Sequence, residues 1–319
     1  MAWPAFVCAG FQKCGTTTLY EILKQHPEVA LCRDVKEPMY YRIKGVRALG
    51  GKRYYQKRYF GHIEEGDRRV LGEVNAGLTF GGCAECVARD YPRDTKFVFM
   101  MRNPVDRCYS AYRYFLARGF LPARTVRDDA ERGHAAAFDA YVHEILDDED
   151  RRGQVMDKRL KYLVFSQSEY VACISEYLER FPKRNMHFVF FEDFIADQHA
   201  SCRELYRFLG ISDCDGVDYG RHDNNTKERA TNPIWARVFW AVKGVNYFFR
   251  DILAMEHWWP AAYRQYRRLY EWCRRHTLSE DDDRSKMLPE TRAYLEDYYR
   301  PMVRDLEKIA GRDLSGVWY

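Results

Sequence analysis

Two loops in this 319-residue chain carry side chains whose types and spacing could do chemistry. The first is Gly10-Phe-Gln-Lys13-Cys14-Gly15-Thr16-Thr17-Thr18, between the apolar stretch 5–9 and a helical pattern. A strand, a glycine-bounded turn and a helix start together direct backbone N–H groups and the positive end of a helix dipole at one anion. The spacing approaches the nucleoside-triphosphate loop GxxxxGK[ST] and departs from it at one place. Thr16 stands where the lysine should follow the second glycine, and the lysine lies inside the loop as Lys13. A nucleotide kinase needs that lysine on the β/γ-phosphates with a Mg2+-binding hydroxyl beside it. One lysine at the tip and three consecutive hydroxyls suit a shorter anion held without metal. A helix capped by Thr16 after a glycine turn would use the same residues and bind nothing.

The second loop is Met101-Arg102-Asn103-Pro104-Val-Asp106-Arg107-Cys-Tyr-Ser110. Arg102 falls at the end of the strongest strand pattern in the chain, and Ser110 lies two turns into the next helix. The planar guanidinium fork matches a phosphate better than any other side chain. A second anion site beside the first implies a nucleotide phosphorylated at two places. The bland alternative is an arginine that caps the sheet edge and a serine that packs.

Alternating strands and helices must position these loops. Segments 5–9, 29–32, 70–74, 96–101 and 186–191 read as strands. Segments 16–25, 83–90, 104–117 and 166–181 read as helices, as does the stretch from the last strand to Leu209. The alternation predicts an α/β fold: a P-loop-like, mostly parallel sheet flanked by helices, with a helical C-terminal elaboration. Open sheets of this kind bind ligands at the carboxyl ends of their strands, where both loops fall. One domain over 1–319 is the simplest organisation, with 118–160 and 230–285 as substrate-side or helical additions. The first addition is highly charged around Asp147-Asp-Glu-Asp-Arg-Arg152 and reads as a solvated helix end and loop. The stretch 221–275 holds 11 Lys+Arg against 5 Asp+Glu, and five of the seven Trp. Its rings could pack helices, stack on sugars, or lay 235–255 on a membrane surface.

Together the two loops resemble those of the PAPS-dependent sulfotransferases, in the branch related to heparan-sulfate sulfotransferases and their bacterial relatives. The likeness continues through Ser168-Glu-Tyr170, Phe181-Pro182, Glu192-Asp193, Arg300-Pro-Met and Gly311-Arg-Asp-Leu314 to Trp318. It implies that Lys13-Cys14-Gly15-Thr16-Thr17, with Thr18 following, holds the 5′-phosphosulfate of PAPS. It implies that Arg102 and Ser110 take the 3′-phosphate, and that no metal is required. Lys36-Glu37-Pro38-Met39-Tyr40-Tyr41 resembles the motif in which a glutamate deprotonates the acceptor hydroxyl. Glu37 would then be the base and Lys13 the group that neutralises the bridging oxygen, with PAP as product. Pro38 keeps Glu37 out of helical geometry, although Glu37 could also be a surface acid paired with Lys36. Asn225-Thr226-Lys227-Glu228-Arg229 resembles the basic loop over the nucleotide, so Lys227 and Arg229 would contact the 3′-phosphate. On the acceptor side the resemblance points to Tyr41, Glu73 and Asn75. Met39 and Arg42 replace a histidine and an acid, and Val74 replaces a lysine, which leaves Glu37, Glu73 or a histidine open as the base.

The expected activity is transfer of a sulfuryl group from PAPS to a hydroxyl on a saccharide or glycoconjugate. Other readings are a non-carbohydrate small-molecule acceptor, a small-molecule kinase, and a non-catalytic nucleotide-binding protein. A net charge of +4 is too small to imply nucleic-acid binding. No run of eighteen apolar residues offers a membrane span, and the first ten residues lack the basic start of a signal peptide. Ten cysteines are scattered rather than paired by spacing, with Cys83-Ala-Glu-Cys86 as the one CxxC. They suit a reducing, cytoplasmic setting, with membrane association through 235–255 left open.

Overall fold

The computed structural model describes residues 3–32, 35–38, 40–41, 44–117, 121–148, 163–220, 228–230, 259–280 and 285–319. Five strands form the central sheet: β1 (Phe6–Cys8), β2 (Val29–Leu31), β3 (Val70–Val74), β4 (Lys96–Met101) and β5 (Met186–Phe190). They pair in the order β2-β3-β1-β4-β5, and every pairing is parallel. This is the P-loop-like sheet expected from the alternation. β1 lies between β3 and β4, so the chain leaving β1 enters the crevice where the winding changes direction.

The strands are mostly apolar because neighbours cover both faces. In β4 the side chains of Phe97, Val98, Phe99, Met100 and Met101 are all fully buried, as are Phe6, Val7 and Cys8 of β1. Each large apolar side chain so buried contributes roughly 1.5–3 kcal/mol relative to exposure. Gly72 in β3 has a packing reason: a Cβ there would stand 2.1 Å from the Phe6 ring.

Helices flank the sheet: α1 (Thr16–Leu23), α2 (Lys44–Phe60, kinked at Gly51), α3 (Cys83–Asp90), α4 (Pro104–Ala117), α5 (Ala123–Arg132) and α6 (His134–Leu146). They continue as α7 (Leu163–Ser166), α8 (Tyr170–Leu178), α9 (Phe191–Ala196), α10 (Gln198–Leu209), α11 (Pro260–Thr277), α12 (Pro289–Ala310) and α13 (Ser315–Trp318). Helix α12 packs on α4 and α8, and forms the helical C-terminal part with α11 and α13. A short antiparallel pair, β6 (Glu228–Ala230) with β7 (Leu278–Glu280), sets Arg229 opposite Ser279 and lies beside α4.

Three expectations need correction. The helix expected over 166–181 is broken between α7 and α8, because the Ser168 hydroxyl turns inward to a buried arginine. The helix expected to reach Leu209 is two helices, since Asp197 leaves helical geometry and its carboxylate caps the Ala200 N–H at 2.8 Å. The supposed solvated stretch 118–160 contains α5 and α6, and α6 buries Phe138, Tyr141, Val142, Ile145 and Leu146. Buried His134 also holds Asp129 at 2.6 Å. Segment 235–255 and Lys227 lie outside the described residues. Of the 230–285 addition, α11 and the β6–β7 pair are described.

Candidate active site

Loop 1 leaves β1 through Gly10, where a Cβ would come within 2.8 Å of the Met100 N of β4. Only glycine lets the turn lie this close, and the Phe11 N–H then donates to the Met100 carbonyl at 3.0 Å. Lys13 has φ +70°, the one positive φ among the described non-glycine residues, and Gly15 follows with φ +86°. Left-handed residues alternating in a loop turn its N–H groups inward into an anion-binding concavity. Gly15 is also the residue before α1, whose first turn has no intrahelical acceptors for its amides. Backbone strain at Lys13 is the kind of feature that binding sites retain.

The side chains of this loop divide. Lys13 extends its ammonium 4.8 Å from the centre of the Tyr114 ring on α4. Cys14 points into the core, its thiol pushed up to about 12, chiefly by burial. It can therefore offer a ligand only its backbone. Thr16 and Thr18 are buried, and Thr17 is half-buried. The hydroxyls of Thr16 and Thr17 both accept from Lys36 Nζ at 3.0 Å. The same ammonium donates to Glu37 Oε1 at 3.1 Å, so Glu37 stands beside the start of α1.

Loop 2 begins at Arg102. Its backbone is held from both sides by one phenol: Tyr170 OH donates to the Arg102 carbonyl at 2.7 Å and accepts its N–H at 3.3 Å. The Tyr170 ring packs edge-on against Phe11 at 4.5 Å, which ties the two loops together. The Arg102 guanidinium lies over the Phe191 ring, 4.8 Å from its centre, and makes no hydrogen bond or ion pair with another described residue. Phe191 fills the space that a Gly15 Cβ would need, at 2.9 Å, so one ring supports both loops. Ser110 is half-buried on α4, and β6, carrying Arg229, runs beside that helix.

Asn103 anchors the remainder of loop 2. Its side-chain oxygen caps α4 through Val105 N–H at 2.9 Å. Its N–H donates to Glu192 Oε1 at 2.8 Å, and its amide donates to the Trp318 carbonyl at 2.5 Å. The Trp318 indole donates to the other Glu192 oxygen at 2.9 Å, closing a ring of contacts. Beneath both loops lies Arg107, fully buried. It donates to Ser168 Oγ at 2.5 Å, to the Gln12 carbonyl at 3.4 Å and to the Val164 carbonyl. None of these acceptors is a carboxylate. A buried cation with only neutral acceptors makes the crevice favourable for an anion.

The residues expected on the acceptor side are all buried. Asn75 is fully buried, and its amide donates to the Pro38 carbonyl at 2.8 Å and to Glu73 Oε1 at 2.7 Å. Glu73, at 0% exposure, also accepts from Tyr55 and, at 2.8 Å, from Tyr91. Burial raises its carboxyl above the ordinary 4.5, and these hydrogen bonds oppose that rise. Tyr41 is buried against Tyr40, with ring centres 4.9 Å apart. Through Asn75 this cluster holds the Pro38 carbonyl, next to Glu37. His26 has its ring nitrogens occupied by Ser212 O and Glu28 N–H, at 3.0 and 3.2 Å. His134 is bound to Asp129. Lys36 and Arg107 were not among the expected site residues. Adjacency to Glu37 and the motif position five after Arg102 were the only sequence signals for them.

A family model described as the sulfotransferase domain matches residues 88–233. Among curated proteins, carbohydrate sulfotransferase 15 of Rattus norvegicus is 24% identical, over 65% of this chain and 44% of that protein. The Homo sapiens protein of the same name is 23% identical over the same shares. The chain thus spans less than half the length of these relatives. A solved sulfotransferase from Alicyclobacillus acidocaldarius superposes with a TM-score of 0.59, covering 99% of each chain at 24% identity. Residues 88–233 thus resemble the sulfotransferase domain, and the fold of the chain is that of a solved sulfotransferase.

Proposed function

We propose that this chain is a single sulfotransferase domain over 1–319. It transfers a sulfuryl group from PAPS to an acceptor hydroxyl, on a saccharide or glycoconjugate. The observation that carries this reading is the set of contacts joining Glu37, through Lys36, to the Thr16 and Thr17 hydroxyls at the start of α1. A carboxylate is thereby held at the anion cradle, where a donor's reactive end would lie. The residues suit PAPS: loop 1 offers Lys13, the Gly15 turn and Thr16–Thr18 for the 5′-phosphosulfate. Arg102 and Ser110 lie on the loop and helix after β4, for the 3′-phosphate. Lys227 and Arg229 would close over it.

PAPS supplies an activated sulfuryl group. The acceptor oxygen forms a bond to sulfur as the bond from sulfur to the 5′-phosphate oxygen breaks, and the electron pair leaves with PAP. Glu37 takes the acceptor proton, and Lys13 neutralises charge growing on the departing oxygen. Such a transfer rests on positioning and electrostatic stabilisation and needs no divalent metal. The carbohydrate acceptor is supported by the names of the curated relatives. The ten cysteines, none in a disulfide, support a reducing, cytoplasmic setting. No described helix is long and apolar enough to cross a membrane.

The test is calorimetric titration with PAP in the absence of metal, beside ATP and AMP. Binding of PAP with a Kd at least tenfold below that of ATP is expected. Equal or tighter ATP binding would refute the reading. A panel of saccharide and phenolic acceptors with radiolabelled PAPS then separates the two acceptor classes.

A further inference from the structure

Lys36 sits where a cation is least expected. The start of α1 is the positive end of a helix dipole, which favours anions and disfavours an ammonium. Yet Lys36 Nζ lies 3.0 Å from both Thr16 Oγ1 and Thr17 Oγ1, with a side chain only 19% exposed. An ammonium has three donors, and those two hydroxyls with Glu37 take all three. Two of the acceptors are neutral. Strand β3 ends here in Val74, an apolar residue 1% exposed, and its one acid, Glu73, is engaged by Tyr55, Tyr91 and Asn75. An anion resting on the first turn of α1 would therefore meet Lys36 directly, and would replace weak neutral acceptors with charged oxygen.

We propose that Lys36 binds the transferring sulfuryl group, in addition to Lys13, and hands Glu37 from an ion pair to the acceptor hydroxyl when that group arrives. This rests on the sulfotransferase reading and adds to it a second catalytic cation and a gate. Before the donor binds, Lys36 holds Glu37 in a pair. Sulfuryl oxygens then compete for the ammonium donors, and Glu37, one residue further along the chain, turns to the incoming hydroxyl. Transfer forms the acceptor O–S bond, breaks the bond from sulfur to the phosphate oxygen, and moves the acceptor proton to Glu37. Once the sulfated product leaves, Lys36 recaptures Glu37. Asn75, through the Pro38 carbonyl, keeps this short segment fixed while the pair exchanges.

The test uses the full chain, with Lys36→Met and Lys36→Arg, in two assays. PAP affinity is measured by calorimetry, and PAPS turnover is measured as PAP release with enzyme in excess and water as acceptor. PAP has no sulfuryl group, so Lys36→Met should bind it within about threefold of wild type. Turnover should fall at least 100-fold, and Lys36→Arg should recover at least tenfold of that loss. Turnover of Lys36→Met within threefold of wild type would overturn the inference and leave the sulfotransferase reading intact. A fall in PAP affinity as large as the fall in turnover would also overturn it, because Lys36 would then be scaffold for the cradle. Failure of the wild-type protein to bind PAP would instead remove the underlying reading. Lys36→Arg keeps the charge and most of the bulk, which guards against a misfolded Lys36→Met.

Discussion

Gly15→Ala tests whether the two loops share one support. Gly15 has φ +86°, and a Cβ on it would stand 2.9 Å from Phe191 Cδ2 and 3.1 Å from Cε2. The left-handed backbone alone costs an alanine about 1–2 kcal/mol. Crowding a packed ring adds about 1–3 kcal/mol, so the total loss should be about 2–5 kcal/mol. Gly216 supplies the control: its φ is +96°, and an added Cβ meets nothing within 4 Å. Gly216→Ala should therefore show only the backbone cost. Urea unfolding of both variants with unchanged m-values would isolate the packing contribution as their difference. Phe191 also lies under Arg102, so Gly15→Ala should weaken PAP binding at least tenfold while Gly216→Ala leaves it unchanged. Equal unfolding midpoints for the two variants, or wild-type PAP affinity in Gly15→Ala, would refute the shared support.

Other expected outcomes follow from the same geometry. Unfolded, Glu73 loses its proton near 4.5; folded, burial keeps it protonated to higher pH. Stability should therefore fall as pH rises from 4.5 through the folded value. Glu73→Gln should flatten that part of a thermal-unfolding profile, and an unchanged slope would refute the assignment. Glu192→Gln leaves one acceptor oxygen for two donors, the Asn103 N–H and the Trp318 indole, which now bond different carboxylate oxygens. It should cost about 1–3 kcal/mol in urea unfolding and lower PAP affinity; wild-type stability and affinity would refute the role of Glu192. Asn75→Ala frees the Pro38 carbonyl, so PAP affinity should hold while PAPS turnover drops at least tenfold; a parallel loss of both would contradict this.

The strands and the two loops were legible because their signals are local. The run Lys96–Met101 is apolar without alternation, and Pro104 begins the next helix, so β4 and α4 fall at the expected residues. Glycines at 10 and 15 marked a tight turn, and both have a close contact that a side chain would obstruct. What stayed hidden depends on distant partners. The break before α8 follows from the contact between Ser168 and Arg107, 61 positions apart. Helix α5 was masked by charge, being mostly acids and arginines, and the buried rings of α6, Phe138 and Tyr141, lie just before the acidic run at 147–150. Tyr41, Glu73 and Asn75 are polar residues in a site-like segment. Their burial beneath Glu37 depends on the register of β3 against β1. Lys36 looked like a surface partner of Glu37, and its reach to Thr16 and Thr17 is a matter of folding alone.

The anchoring of Asn103 has a consequence for how the protein is made. Asn103 and Trp318 are 215 positions apart, and the amide–carbonyl contact between them holds the loop carrying Arg102. During synthesis, loop 1 and the first four strands leave the ribosome long before the tail that fastens loop 2. Contacts of such long range form late and slow the acquisition of the native state. The nascent chain should therefore hold a largely formed sheet with only half an anion site. An anion held by both loops would then select chains in which Trp318 has docked, and would stabilise them.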